Sequence, residues 1–167
     1  MHFEKVGFAE YKNSRLKMDK LLSIQVIEEE YGNIELPKRG TSESAGYDFH
    51  IPYHLDMKYN MNQLLPTGIR LVADKLDMNY VMLLFPRSSV GFKKGLMLTN
   101  TCGVIDKDYY KADNEGHILI SFSEVARKDV VFEQGDRVVQ GLIVPNLIVS
   151  NDNANEERTG GLGSTGK

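Results

Sequence analysis

The run Tyr80-Val81-Met82-Leu83-Leu84-Phe85, closed by Pro86-Arg87-Ser88-Ser89-Val90-Gly91, decides the fold class. Six apolar residues without a polar break read as a strand buried on both faces, and Pro86 punctuates its end. An arginine and two hydroxyls then emerge at the strand terminus, a combination suited to phosphate oxygens. The competing reading is a surface turn in which a serine caps the next segment.

The same rhythm extends in both directions. From Ile34 onward, Pro37, Gly40, Gly46, Pro52, Pro66, Gly68 and Pro86 separate short apolar pieces, as in an all-β domain. Tyr47, Phe49 and Ile51 alternate with Asp48 and His50, and residues 68–73, 96–98, 118–122, 130–132 and 138–149 continue the series of strands. Between Lys128 and Arg137 the pattern predicts a hairpin with Gly135-Asp136 at its turn. No long amphipathic helical stretch interrupts residues 33–150, so a sandwich or jelly roll is favoured over an α/β sheet.

Residues 1–32 carry weaker signals and read as an N-terminal extension packed on the domain. Phe3, Val6, Phe8 and Tyr11 suggest an extended piece, and Leu16, Leu21 and Leu22 suit a helix face. The stretch Ile24 to Glu30 fits either a strand edge or a helix end.

The chain has 167 residues, enough for one domain with its own core, and its single cysteine, Cys102, excludes an intrachain disulfide. The lone cysteine, seven methionines and absence of a signal-like segment suit a reducing, intracellular setting such as the cytoplasm. No apolar run approaches a membrane span. A net charge of −3 argues against a nucleic-acid polymer as partner, but leaves room for a small polyphosphate gripped by local donors.

Several short stretches carry chemistry. In Gly103-Val104-Ile105-Asp106-Lys107-Asp108-Tyr109-Tyr110 a β-branched pair delivers a carboxylate to a strand end, with an aromatic ring three residues later. The expectation is a pocket in which Asp106 serves as general base, with Gly103 allowing the tight backbone of a hairpin loop. Ala45-Gly46-Tyr47-Asp48 places a second carboxylate at a strand start. Arg137 and Gln140 stand three apart, which on a regular strand sends them to opposite faces. Cys102 reads as a small buried hydrophobe, and the four histidines do not form a metal site.

Residues 151–167 form a polar, Gly-rich arm. Gly161 to Lys167 matches most of a P-loop pattern, but the preceding segment is too polar for the buried strand a P-loop requires. The closely spaced glycines, with Arg158, Ser164 and Thr165, still suit a phosphate-closing segment.

Taken in order, Ala45 to Asp48, Pro86 to Ser89, Gly103 to Tyr109, Arg137 to Gln140 and Arg158 to Gly166 resemble the five motifs of the trimeric dUTP pyrophosphatases, or dUTPases. The resemblance runs from about Leu36 to the end of the sequence given. It implies a jelly-roll-like β-sandwich or barrel that assembles as a homotrimer, with the arm of one chain closing a neighbour's site. It also implies hydrolysis of dUTP to dUMP and pyrophosphate, with Mg²⁺ carried by the triphosphate.

In that resemblance Asp106 is the base that activates water, and Tyr109 is the ring packed under the deoxyribose. Asn100, with Gly103 and Ile105 of the same segment, corresponds to the uracil-reading positions. Arg87, Ser88, Ser89 and Gln140 correspond to phosphate-side positions, Arg137 to an arginine bracing phosphates or subunits, and Asp48 to the acid near the metal's waters. Arg158, Gly163, Ser164 and Thr165 cover the phosphates, while Leu162 stands where the family commonly has a base-stacking Phe.

Two alternatives share this scaffold. A dCTP deaminase needs a carboxylate beside the base, where this chain has Ser121. A regulatory module would use the scaffold to bind a protein partner, whose identity the sequence does not give.

Overall fold

The computed structural model describes residues 1–58, 64–74, 77–158, 160 and 161. The chain begins with strand β1 (His2–Lys5), then helices α1 (Phe8–Met18) and α2 (Ile24–Gly32). Short strands follow as β2 (Lys38–Arg39), β3 (Tyr47–His50), β4 (Leu55–Met57), β5 (Leu65–Pro66) and β6 (Ile69–Val72). The long strand β7 (Tyr80–Pro86) leads into the one-turn helix α3 (Ser88–Phe92), then β8 (Leu96–Leu98) and β9 (Gly103–Asp106). After a 3₁₀ turn at Tyr109–Lys111 come β10 (Leu119–Ile120), β11 (Phe122–Glu124), β12 (Val130–Phe132) and β13 (Arg137–Pro145).

The result is an all-β, jelly-roll-like fold. Its main sheet is antiparallel in the order β2-β3-β13-β7-β9, and four strand pairs, β1-β6, β5-β10, β8-β11 and β4-β12, complete the layers. Phe49, Met82, Leu84, Phe122, Phe132, Ile118 and Val139 are among the side chains that fill the core between them. Burying residues of this size stabilises a fold by roughly 1.5–3 kcal/mol each, before the cost of ordering the chain is counted.

Strand β7 departs from the expectation of burial on both faces. Tyr80, Met82 and Leu84 are buried, whereas Val81, Leu83 and Phe85 on the other face are only partly covered. Residues directly opposite one another in an antiparallel sheet share a face. The register pairs Val81 with Asp106 and Val144, Leu83 with Val104 and Leu142, and Phe85 with Gln140, which in turn pairs with Asp48. One sheet face therefore has Asp106 at one end, Asp48 and Gln140 at the other, and an apolar strip between them.

Four other expectations are corrected. The predicted hairpin at residues 128–137 does not form: β12 pairs with β4, while β13 pairs with β3 and β7, so the Gly135 turn passes between sheets. The strand expected over 118–122 is broken at Ser121 into β10 and β11, which pair with different partners, and β13 stops at Pro145 rather than Val149. Arg137 and Gln140 are not separated to opposite faces, because the register shifts between Arg137 and Val139. The bulge turns both Val138 and Val139 into the core and changes the parity of the residues beyond it.

The N-terminal segment is part of the sheet system. β1 pairs with β6, and Phe3 meets the rings of Tyr47 and Phe49 at centroid distances of 5.4 and 5.7 Å. The expected extended piece ends at Lys5, and Phe8 already opens α1. That helix buries Tyr11, Ser14 and Arg15 rather than a leucine face, and Leu21, between the helices, is 94% exposed. Ser23 caps α2 by accepting the Val26 N–H, so Ile24 to Glu30 is helical. Arg15 grips Glu30 with two hydrogen bonds of 2.7 and 2.8 Å and lies 3.9 Å from the Tyr53 ring centre. This buried pair joins the two helices to the domain.

Candidate active site

Asp106 ends β9, where ladder pairing with β7 stops and the chain turns into Asp108 and Tyr109. Its carboxylate is half exposed, at 51%, and opens onto a cleft of about 540 Å³. Asn79, Tyr80, Tyr110, Lys111 and Asn146 contribute to the walls. Burial and the nearby Asp77 push the Tyr80 phenol up to about 12, so the ring stays protonated.

Gly103 lies inside β9 rather than in a loop. Its role is close approach: a Cβ there would stand 3.0 Å from the Leu84 Cβ. The sharp turn comes two residues earlier, at Thr101, which has φ +62°. Its neighbours close the turn by a 2.6 Å hydrogen bond from Cys102 N–H to the Asn100 carbonyl. A β-branched residue in this region is strained, so the backbone beside Asn100 is bent by its surroundings. Asn100 is exposed, Ile105 is partly buried, and Cys102 is half-buried rather than a core residue.

Tyr109 is buried to 7% exposure, and its hydroxyl is held from two sides. It donates to the His117 carbonyl at 3.2 Å and accepts from Asn114 Nδ2 at 3.1 Å. The guanidinium of Arg158 lies 5.6 Å from the centre of the same ring. Arg158 also bridges two acids of its own chain, bonding to Asp106 and, at 3.0 Å, to Asp108. Asp108 is thus more than loop structure, which the sequence spacing alone did not reveal.

The second cluster sits at the far end of β7. Asp48 is 4% exposed and lies between two arginines, at 2.8 Å from Arg87 Nη1 and 3.2 Å from Arg137 Nη1. These residues and Gln140 line a cleft of about 590 Å³ with Thr41, Ser44 and Gly46. Gly46 is needed for space, since a Cβ would come within 3.0 Å of the Gln140 amide oxygen. Ser88 and Ser89 are exposed in the first turn of α3, just past Arg87. The structure therefore gathers Asp48, Arg87, Arg137 and Gln140 at one place and Asp106, Tyr109 and Arg158 at another. Leu162, Gly163, Ser164 and Thr165 lie outside the described residues.

His117, Asn114 and Glu10 support Tyr109 without having stood out in the sequence. The imidazole of His117 is fully buried, and its Nε2 accepts the Gly68 N–H at 2.9 Å. That leaves Nδ1 as the protonated nitrogen, which donates to Glu10 at 3.1 Å. Burial pushes the ring below its usual pKa, while Glu10 pulls in the opposite direction. A lone histidine between Gly116 and Ile118 gave no signal of this, because both partners come from remote segments.

A dUTPase family model matches residues 32–166. The deoxyuridine 5′-triphosphate nucleotidohydrolase of Lactococcus lactis is 43% identical over 136 residues, covering 80% of this chain and 89% of that protein. The protein of the same name from Hamiltonella defensa is 32% identical over 158 residues, covering 89% and 99%. The crystal structure of a dUTPase from Streptococcus mutans matches with a TM-score of 0.67 and 34% identity, covering 90% of this chain and all of that one.

Proposed function

The chain belongs to the dUTPase family of dUTP diphosphatases, and we propose that it hydrolyses dUTP to dUMP and pyrophosphate using a water activated by Asp106. The observation that carries this reading is the placement of Asp106: a half-exposed carboxylate at a strand end, facing a cleft, three residues before an anchored ring. A general base must reach the water it deprotonates, and a carboxylate in this position is open to one. The water then attacks the α-phosphorus in line, and pyrophosphate leaves. Asn100, with the backbone of Gly103 and Ile105, reads the uracil, and Tyr109 packs under the deoxyribose.

Arg87, Ser88, Ser89 and Gln140 take the phosphates, with Arg137 bracing the same cleft. The four residue steps from Val81 to Phe85 separate this cluster from Asp106 by about 13 Å of strand. A single chain thus keeps its base apart from its phosphate ligands. The strip of partly covered Val81, Leu83 and Leu142 and exposed Val104 between them suits contact with another copy of the chain. The homotrimer supplies that copy, and each active site combines Asp106 of one chain with the arginine cluster of the next.

Magnesium fits as a cation delivered by the triphosphate. Among the described residues no three His, Cys, Asp or Glu side chains converge to hold a metal. Asp48, the acid beside the proposed phosphate ligands, is already engaged by two arginines, so it would meet the ion only through water. The bound ion would neutralise phosphate charge. Arg158, paired with Asp106 and Asp108 in the isolated chain, moves to the more highly charged triphosphate, and the rest of the arm, including Leu162, Gly163, Ser164 and Thr165, closes over it.

Pyrophosphate release from dUTP, dCTP, dTTP and UTP, with and without Mg²⁺, tests the assignment. Rapid release from dUTP alone, dependent on Mg²⁺, is expected. Conversion of dCTP to dUTP with dUTP left intact would contradict it.

A further inference from the structure

Tyr109 begins a loop that ends at His117, and the remainder of that loop has no part in the proposed chemistry. It is nevertheless tied down on three sides. Asn114 spans its width: Nδ2 donates to the Tyr109 hydroxyl at 3.1 Å and lies 3.2 Å from the His117 carbonyl, while Oδ1 accepts the Gly116 N–H at 3.2 Å. At the rear, Glu115 accepts the Gly7 N–H at 2.7 Å, and the buried His117 ring links Glu10 of α1 to Gly68. Toward the arm, a Cβ on Gly161 would stand 3.3 Å from the Asn114 carboxamide, so the arm passes directly over this residue. Gly116 completes the turn at φ +73°, where any side chain would strike Tyr110 backbone.

A ring can reject an added hydroxyl only as firmly as it is held. If the ring can tilt away, the penalty for the larger sugar is the cost of tilting it, not the cost of the clash. The hydroxyl of Tyr109 is the ring's far end, so its two hydrogen bonds govern that tilt. We propose that Asn114 is a positioning residue for sugar selection, holding the Tyr109 hydroxyl so that the ring cannot yield to a 2′-hydroxyl. This rests on Tyr109 being the ring beneath the sugar. Asn114 touches no substrate; it acts through Tyr109, with His117 and Glu10 anchoring the loop behind it.

The experiment compares kcat/KM for dUTP, UTP and dCTP in the full-length wild-type protein, Asn114→Ala and Tyr109→Phe, with melting temperature as the folding control. In Asn114→Ala the preference for dUTP over UTP should fall about tenfold, mostly through a lower KM for UTP, since a pair of hydrogen bonds contributes on this scale. The preference for dUTP over dCTP should not change, because the base is read elsewhere. Tyr109→Phe keeps the ring and removes the hydroxyl, so it should show the same loss even if Asn114→Ala folds poorly. An unchanged dUTP-to-UTP preference in folded variants, or an equal decline toward all three nucleotides, overturns the positioning role while leaving the hydrolytic assignment intact. A wild-type protein inactive toward dUTP overturns both.

Discussion

The two ends of β7 hold their acids in opposite ways. Asp48 is buried between Arg87 and Arg137, on a strand paired on both sides. Asp106 lies at the end of an edge strand, half exposed, and its arginine comes from the C-terminal arm. A buried carboxylate already paired with two cations is closed to an attacking water, but it can hold the arginines still for an anion. An exposed one with a removable partner can meet water. The difference divides the proposed labour: the Asp48 end is pre-organised for binding, and the Asp106 end is left open for chemistry.

The largest effect should come from attacking the open end. Asp106→Asn keeps size and hydrogen-bonding shape but removes the base, so kcat should fall by roughly 10²–10⁴. Calorimetric titration should still show nucleotide binding. Near-normal turnover would show that the two ends do not differ in this way. At the closed end, Asp48→Asn leaves two arginines facing each other without their shared anion. Breaking a fully buried pair costs about 3–5 kcal/mol, and discounting for the partly exposed arginines leaves about 2 kcal/mol, or roughly 4–8 °C in melting temperature. A variant as stable as the parent would remove the structural half of the contrast.

His117 sharpens the same distinction by pH, because its buried anchor belongs with the closed class. Its pKa is lowered on folding from the ordinary 6.5. The unfolded chain therefore takes up a proton first as pH falls, so the native state loses stability below about 6.5 until the folded ring also protonates. The slope contributed by this one group is at most about 1.4 kcal/mol per pH unit. Melting curves between pH 7.5 and 5 should show this loss, and His117→Gln should reduce it. The smallest effect is expected from Asp108→Asn. This carboxylate is 44% exposed, and surface pairs of this kind contribute about 0–1 kcal/mol. A large fall in melting temperature would mean that the arm is locked rather than removable.

Much of the fold was readable because its signals are local. Alternation at Tyr47 to Ile51, the apolar run to Phe85 and frequent Pro and Gly punctuation mark strands regardless of their partners. Partner choice is not local. Val130 to Phe132 and Arg137 onward look like a hairpin because Gly135-Asp136 is a good turn, yet the two strands pair with partners in different sheets, remote in sequence. The bulge at Val138 was hidden for a related reason: two consecutive valines suit a strand, and only the packed core shows that both point inward.

The candidate site divides similarly. Asp106, Tyr109, Asp48, Arg87 and Gln140 stand in short stretches whose residue types suggest anion and base chemistry. Glu10 and His117 do not, because what matters about them is a contact between segments 107 positions apart, and Asn114 does not, because its bonds to Tyr109, Gly116 and His117 exist only once the loop has folded. The N-terminal helices were obscure because α1 buries Tyr11, Ser14 and Arg15, a face with too little apolar character to show as a periodic stripe.

The central claim is that the open end and the closed end of β7 serve one active site only when they come from different chains. Complementation tests it directly. Asp106→Asn and Gln140→Ala proteins, each inactive or nearly so alone, are mixed, dissociated and reassembled, and pyrophosphate release from dUTP is measured. Random reassembly at equal amounts should restore about a quarter of wild-type activity, the share of sites pairing an intact Asp106 with an intact Gln140. Activity no greater than the sum of the separate variants, in trimers shown by mass to be mixed, would place both ends of the site in one chain and contradict the account.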